Sequence, residues 1–329
     1  MLQCAGRSRD ERRTVGAVTA VALASRFWGL GCPKIFHEVA TLLYKDGMAV
    51  TGSGKIVRRF PMVPGIDFAG RVIESASERF RTGDPVILTG WGVGESHWGG
   101  YAQRARVSSD WLVPIPEGLD ARKAMIIGTA GLTAMLCVMT LQEAGVTPEQ
   151  GPILVTGAAG GVGSVSVSLL SRLGYRVSAV TGRESTRAYL TGLGAAEIIT
   201  REEMNQPSRP LETQRWAGAI DTVGGPILAR TLAEMAYNGA VAACGLAADF
   251  RLETTVMPFI LRNVSLRGVD SVSCPLPRRT EAWRQLAQLL PESAYEQMCR
   301  VVSLEEVPEA AAQIMRGEVR GRVLVDPNR

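Results

Sequence analysis

Histidine is almost missing from this 329-residue chain, which has two, His37 and His97, and its six cysteines stand far apart at positions 4, 32, 137, 244, 274 and 299. A zinc site needs clustered Cys and His ligands and a disulfide framework needs spaced pairs, so the residues argue against both and no metal is expected. Cys137 and Cys244 lie in apolar runs and read as small buried thiols. Net charge is scarce too: the formal balance is +4 with the basic residues dispersed, which leaves no footprint for nucleic acid. No apolar run reads as long as the roughly 18 residues that a membrane span requires. The Arg-rich start ahead of a short apolar patch has a faint likeness to a signal peptide, but Asp10 and Glu11 interrupt it. These features together predict a protein of the reducing cytoplasm.

What is present points to two domains, because the length exceeds that of a typical single one. With 46% hydrophobic and 21% charged residues the chain can bury a sizeable core, which excludes disorder on a large scale. Residues 40–120 are rich in Gly and Pro and hold short β-like runs such as Pro85-Val-Ile-Leu-Thr89, the texture of an irregular β domain. From Asp120, a natural helix cap, apolar residues recur at helical spacing as far as Gly145. Strand-like and helix-like segments then alternate: ILVTG, a helix over 162–173, YRVSAVTG, a helix over 184–193, EIIT, WAGAIDTVG, a helix over 227–235, and GAVAACG. This alternation predicts an α/β fold with a doubly wound parallel sheet.

In that setting the stretch TGAAGGVGS, residues 156–164, carries a specific meaning. Ala158-x-Gly160-x-x-Gly163 is a dinucleotide fingerprint with alanine for its first glycine, placed after a strand and at the start of a helix. Gly160 would let backbone approach a pyrophosphate, and Gly163 would let the helix lie close on the sheet. The end of the second strand selects the dinucleotide: an NAD site puts an acid there, whereas this chain offers Thr181, Gly182 and Arg183, with Ser185 and Arg187 just beyond. Arginine pairs bidentately with phosphate, so the expected cofactor is NADPH.

The motifs TGAAGGVGS, FPMVPGIDFAGRV, LTGWGVGESHWGGYAQRARV, WAGAIDTVGG and TTVMPFILRNVSLRGVDSV resemble the zinc-independent branch of the medium-chain dehydrogenase/reductase superfamily. Within it they are most similar to the acrylyl-CoA reductase group, which is related to quinone oxidoreductases. The likeness runs from Thr41 to the end. It implies a GroES-like β-rich catalytic domain over residues 1–122, a Rossmann NADPH-binding domain over 123–265 and a return to the catalytic domain over 266–329. It also implies a homodimer and the reduction of acryloyl-CoA to propanoyl-CoA by hydride transfer to the β-carbon of the thioester. Matched residue by residue, Tyr44 lines the nicotinamide pocket and is the candidate catalytic group. Ala159, Gly160, Gly161 and Val162 hold the pyrophosphate; Thr181, Gly182, Arg183 and Arg201 take the adenosine side; Leu246, Ile260 and Ser271 close over the cofactor.

Three departures stand out. The asparagine that precedes the tyrosine in the family is Leu43 here, a late asparagine falls at Gly317, and residues 1–40 lack the alternating strands that open the family pattern. That opening reads as divergent or as a product of a shifted start or frame. His97 reads as a turn residue without a catalytic duty. Beside the thioester reductase, a quinone or other enone reductase and a catalytically silent NADPH-binding redox sensor stay open on these residues.

Overall fold

A computed structural model describes residues 32–329. The expectations for the first 31 residues, including the export signal, lie outside the described residues. Along the chain, β1 (Lys34–Leu42) leads through α1 (Tyr44–Thr51) to β2 (Asp67–Glu74), β3 (Pro85–Thr89), β4 (Arg104–Arg106) and β5 (Leu112–Pro114). After the long helix α2 (Ala121–Glu143), strands and helices alternate. They are β6 (Ile153–Val155), α3 (Gly161–Arg172), β7 (Val177–Thr181), α4 (Arg187–Gly192), β8 (Glu197–Thr200), α5 (Arg201–Met204), β9 (Trp216–Asp221), α6 (Gly225–Glu234), β10 (Met235–Ala243), α7 (Met257–Arg262) and β11 (Ser265–Gly268). The chain closes with α8 (Leu276–Leu289), α9 (Glu292–Met298), β12 (Cys299–Ser303), α10 (Val307–Met315) and β13 (Arg322–Asp326).

Two compact units form. The first takes the chain as far as Thr129, then Val272–Thr280 and Cys299–Arg329; the second takes Ala130–Ser271 and Glu281–Met298. The first junction falls beyond residue 122, just after Gly128, where α2 breaks at a φ of +52°. A Cβ at Gly128 would lie 2.7 Å from both Arg322 Nη2 and Asp67 Oδ2, so glycine is required for the close approach as well as for the turn. One reading of the sequence needs correction here: α2 contains a window long and apolar enough to cross a membrane. That window is 94% buried inside the protein, so its apolarity serves the core.

In the first unit the sheet order is β12-β13-β1-β2-β3-β5, with β4 also pairing β1. β1 begins at Lys34, ahead of the family likeness at Thr41. Its residues show why: Ile35, His37 and Val39 are buried and alternate with the half-exposed Lys34, Phe36 and Glu38. Where β1 ends and β2 begins lies a buried polar centre. Asp67 accepts hydrogen bonds from Thr41 Oγ1 (3.1 Å) and from both the N–H and Oγ1 of Thr129 (2.5 Å each), while Arg322 Nε donates to Ile126 O (2.8 Å).

His37 is fully buried, stacked on Phe68 at 3.9 Å, and its Nδ1 donates to Ala102 O at 2.6 Å. Burial pulls its pKa down from 6.5 to about 4, because the imidazolium cannot be solvated there. The unfolded chain therefore takes up the proton first, and the stability that neutral His37 contributes above pH 6.5 is lost as the pH falls toward 4. The expected result is that the stability advantage of wild type over His37→Gln shrinks by about 3 kcal/mol between pH 6.5 and 4, read from urea unfolding at each pH. An advantage that stays constant across this window would contradict the burial argument.

In the second unit the order β11-β10-β9-β6-β7-β8 is wholly parallel, built from two halves that diverge from the neighbours β6 and β9. This is the doubly wound topology expected from the alternation, and its crevice lies where the strand order reverses. Leu154, Val180, Trp216, Leu232 and Val241 fill the core on one side of the sheet.

Candidate functional site

At the crevice, β6 runs into the glycine turn. Gly157 adopts a φ of +58°, Ala158 N–H reaches Val180 O (3.1 Å), and Gly160 caps α3 in an extended conformation. The first N–H groups of α3 have no intrahelical acceptor and point outward with the positive end of the helix dipole, which suits an anion. A Cβ at Gly163 would lie 2.4 Å from Gly157 O and 2.5 Å from Ala158 Cα, so α3 can lie this close to the turn only with glycine there.

The neighbouring strand ends are locked together. Thr156 Oγ1 donates to Asp221 Oδ1 (2.7 Å) and accepts from Thr222 N–H (3.0 Å); Thr222 Oγ1 donates to Thr156 O (2.9 Å); Asp221 Oδ2 accepts from Gly224 N–H (2.8 Å). Burial pushes the Asp221 carboxyl above its usual range while these hydrogen bonds pull it down. The lock was not read from the sequence, although an acid inside the apolar run WAGAIDTVGG was its signal.

At the ends of β7 and β8 a hollow of about 470 Å³ is lined by Thr181, Gly182, Thr200 and the three arginines Arg183, Arg187 and Arg201, with the acids Glu184 and Glu202 also on its wall. Strand pairing sets Thr181 opposite Thr200, which brings Arg201 across to the β7 turn. A Cβ at Gly182 would lie 2.8 Å from Arg201 Nε, so glycine lets that guanidinium cross the turn. Thr181 Oγ1 accepts from Arg183 N–H (3.2 Å) and shares a hydrogen bond with Thr186 Oγ1 (2.9 Å), which fixes the turn. Arg187 is held by Glu184 (2.8 Å). Residues 20 positions apart in sequence thus form one cationic cradle, and Thr181, Gly182, Arg183 and Arg201 are together in it.

The other expected positions fall elsewhere. Ser271 is buried and accepts from Thr133 Oγ1 at 2.7 Å. Leu246 and Ile260 are exposed and do not line the arginine hollow. Tyr44 belongs to the first unit, at the first turn of α1, with its side chain half exposed. Its helix is pinned by Asp46, whose carboxylate accepts from Leu43 N–H and Ile66 N–H (3.0 Å each); burial raises that carboxyl to about 7. Gly317 terminates α10 with a φ of +70°, a conformation that favours glycine. His97 sits in the turn built on Gly92 O and packs against Trp111 at 4.7 Å.

Comparison with known proteins agrees with this geometry. Residues 34–117 match the alcohol dehydrogenase GroES-like domain, and residues 161–292 match the zinc-binding dehydrogenase domain. The probable acrylyl-CoA reductase AcuI of Escherichia coli K12 is 61% identical over 289 residues, covering 88% of this chain and 89% of that protein. The acrylyl-CoA reductase AcuI of Ruegeria pomeroyi is 55% identical over 323 residues, covering 98% and 97%. The chain belongs to the medium-chain dehydrogenase/reductase family, in its acrylyl-CoA reductase group. Among solved structures, E. coli K-12 YhdH with bound NADPH superposes with a TM-score of 0.89 at 59% identity over 91% of this chain and 93% of that one. The GroES-like match covers β1 and the R. pomeroyi match covers 98% of this chain, so the likeness to the family begins ahead of Lys34 and not at Thr41. As for the zinc in the second domain's name, the described residues bring together no group of three His, Cys, Asp or Glu side chains that would hold it.

Proposed function

We propose that this chain reduces acryloyl-CoA to propanoyl-CoA with NADPH, as a homodimer in the cytoplasm, its first unit serving as the catalytic domain and its second as the cofactor domain. The observation that carries the reading is the guanidinium of Arg201 laid across Gly182 beside Arg183, a cradle for a phosphomonoester at the position that an NAD enzyme fills with an acid. Ala159, Gly160, Gly161 and Val162 would hold the pyrophosphate at the start of α3; Thr181, Gly182, Arg183 and Arg201 would hold the adenosine phosphate; Leu246, Ile260 and Ser271 would close over the cofactor. The acyl-CoA substrate is supported by the two reductases of this name, each matched over most of its length.

When bound, NADPH supplies the two-electron reducing equivalent that the activated double bond accepts. The protein's own part is orientation and proton supply. Tyr44, on a helix pinned by Asp46, offers a hydroxyl to orient the nicotinamide or to deliver the proton required at the α-carbon. Exposed Phe250, Val256 and Leu261, close in the chain to the sheet-edge strand β11, support the homodimer. Free thiols at Cys137, Cys244 and Cys274 fit a reducing compartment.

The test follows NADPH oxidation with acryloyl-CoA, crotonoyl-CoA and a quinone in parallel. The expected result is turnover that is fastest with acryloyl-CoA, and a Tyr44→Phe variant that loses about tenfold or more in kcat with little change in NADPH affinity. Preference for the quinone would sink the thioester reading, and tight NADPH binding without turnover would mark a sensor.

A further inference from the structure

Residues 52–61 of the first unit, GSGKIVRRFP, join α1 to the strand β2. The loop is anchored: Ile56 and Val57 are half buried, Ile56 N–H bonds Gly54 O (2.9 Å), and Arg58 N–H bonds Glu95 O (3.0 Å). Gly54 packs on Met48 of α1, where an added Cβ would collide with the methionine side chain. Outward from this anchored backbone stand Lys55, Arg58, Arg59 and Phe60, all exposed.

Their charge is uncompensated. Several exposed arginines are paired, as in Arg71 with Glu38, Arg79 with Asp110, Arg284 with Glu281 and Arg316 with Glu318, while others, such as Arg81 and Arg176, stand singly among the described residues. Lys55, Arg58 and Arg59 enter no ion pair among the described residues. Glu95, whose backbone carbonyl holds Arg58 N–H, has a largely buried side chain that is already bound to Lys45. The charge of Arg59 is felt at His97, whose pKa it helps to lower after desolvation. Phe60 beside these cations is 55% exposed, a large apolar face with no cover.

Resting on the proposed function above, we propose that this loop binds the nucleotide end of the acyl-CoA substrate, with Lys55, Arg58 and Arg59 on its phosphates and Phe60 against its adenine. Planar guanidinium groups grip phosphoryl oxygens bidentately, and an exposed aromatic ring next to them is the arrangement that holds a base by stacking. Tyr44 begins α1, the eight-residue helix spans about 12 Å, and the loop follows its end, so the candidate catalytic group and the loop are carried by consecutive elements. The loop and Tyr44 lie in the same unit, while the cradle proposed for the NADPH phosphate lies in the other, so the two anionic tails are bound by separate residues.

The experiment compares acryloyl-CoA with acryloyl-pantetheine, which lacks the nucleotide, on the full-length enzyme. Calorimetric titration of propanoyl-CoA is the second readout. Arg58→Glu/Arg59→Glu is expected to lower the ratio of kcat/KM between the two thioesters by at least about tenfold, and to weaken propanoyl-CoA binding by a similar factor. Arg58→Lys/Arg59→Lys should recover most of both. An unchanged ratio in a charge-reversed variant that melts like wild type would overturn the proposal, as would a wild type that uses both thioesters equally well. If reversal lowers the melting temperature, Arg58→Gln and Arg59→Gln are read singly, and no change in either is equally decisive against it. A wild type that reduces neither thioester yet binds propanoyl-CoA through these arginines defeats the reductase reading alone; one that neither reduces nor binds defeats both.

Discussion

Replacing Arg183 and Arg201 together with glutamate should reverse the cofactor preference. The catalytic efficiency with NADPH is expected to fall by about a hundredfold or more, while that with NADH changes by about threefold or less. The size follows from the contacts removed: a hydrogen bond to a charged group contributes about 1.5–3 kcal/mol, each 1.4 kcal/mol is tenfold, and two such contacts meet in one cradle. Repulsion between glutamate and the phosphate adds to the loss. The variant should still fold, because Arg201 is exposed and both side chains line an open hollow at the sheet edge. Direct titration of NADPH and NADH by fluorescence, alongside steady-state rates, checks the result. Equal losses with both cofactors would show that the hollow serves the fold and not the phosphate.

The two halves of that cradle differ in how readable they are from sequence. Thr181-Gly182-Arg183 ends a strand that periodicity reveals, so its place at the tip of β7 follows from the local pattern. Arg201 lies beside it only because β8 pairs with β7 in register, a fact of tertiary structure; its sequence position was assigned by family likeness alone. The strand alternation and doubly wound sheet were legible because each element is local and strongly apolar. What was not legible depends on long-range packing: the break of α2 at Gly128 against Asp67 and Arg322, the return of residues 281–298 to the second unit, and the lock of Thr156 on Asp221. β1 lies between these cases. Its period of two was present in KIFHEVATL, but the buried histidine and the half-exposed Phe36 blur the apolar alternation that marks a strand. The uncharged stretch of α2 shows the converse error, since composition alone does not distinguish a core helix from a membrane span, and only burial does.

Gly163→Val and Gly160→Ala should separate the two duties of the glycine turn. At Gly163 the new Cβ would meet backbone, Gly157 O at 2.4 Å and Ala158 Cα at 2.5 Å, and backbone in a fixed turn cannot yield. α3 must lift from the sheet, loosening the buried Val165, Val167, Leu169 and Leu170 behind it. Overpacking of this kind costs about 3 kcal/mol, which predicts a melting temperature lower by roughly 6–12 °C. The lifted helix also carries its N–H donors out of position, so NADPH affinity is expected to fall by about a hundredfold. At Gly160 the added methyl meets a single atom, Gly157 O at 3.2 Å, and a shift of a few tenths of an ångström relieves it. Its extended φ of −82° is one that alanine adopts freely. Gly160→Ala should therefore melt within about 2 °C of wild type, yet lose about tenfold in NADPH affinity, because the methyl occupies the space through which the pyrophosphate approaches the backbone. Thermal unfolding and NADPH titration of both variants decide the matter. If Gly163→Val melts like wild type, close packing of α3 on the turn is not the reason for that glycine. If Gly160→Ala binds NADPH as tightly as wild type, the pyrophosphate does not lie against the start of α3.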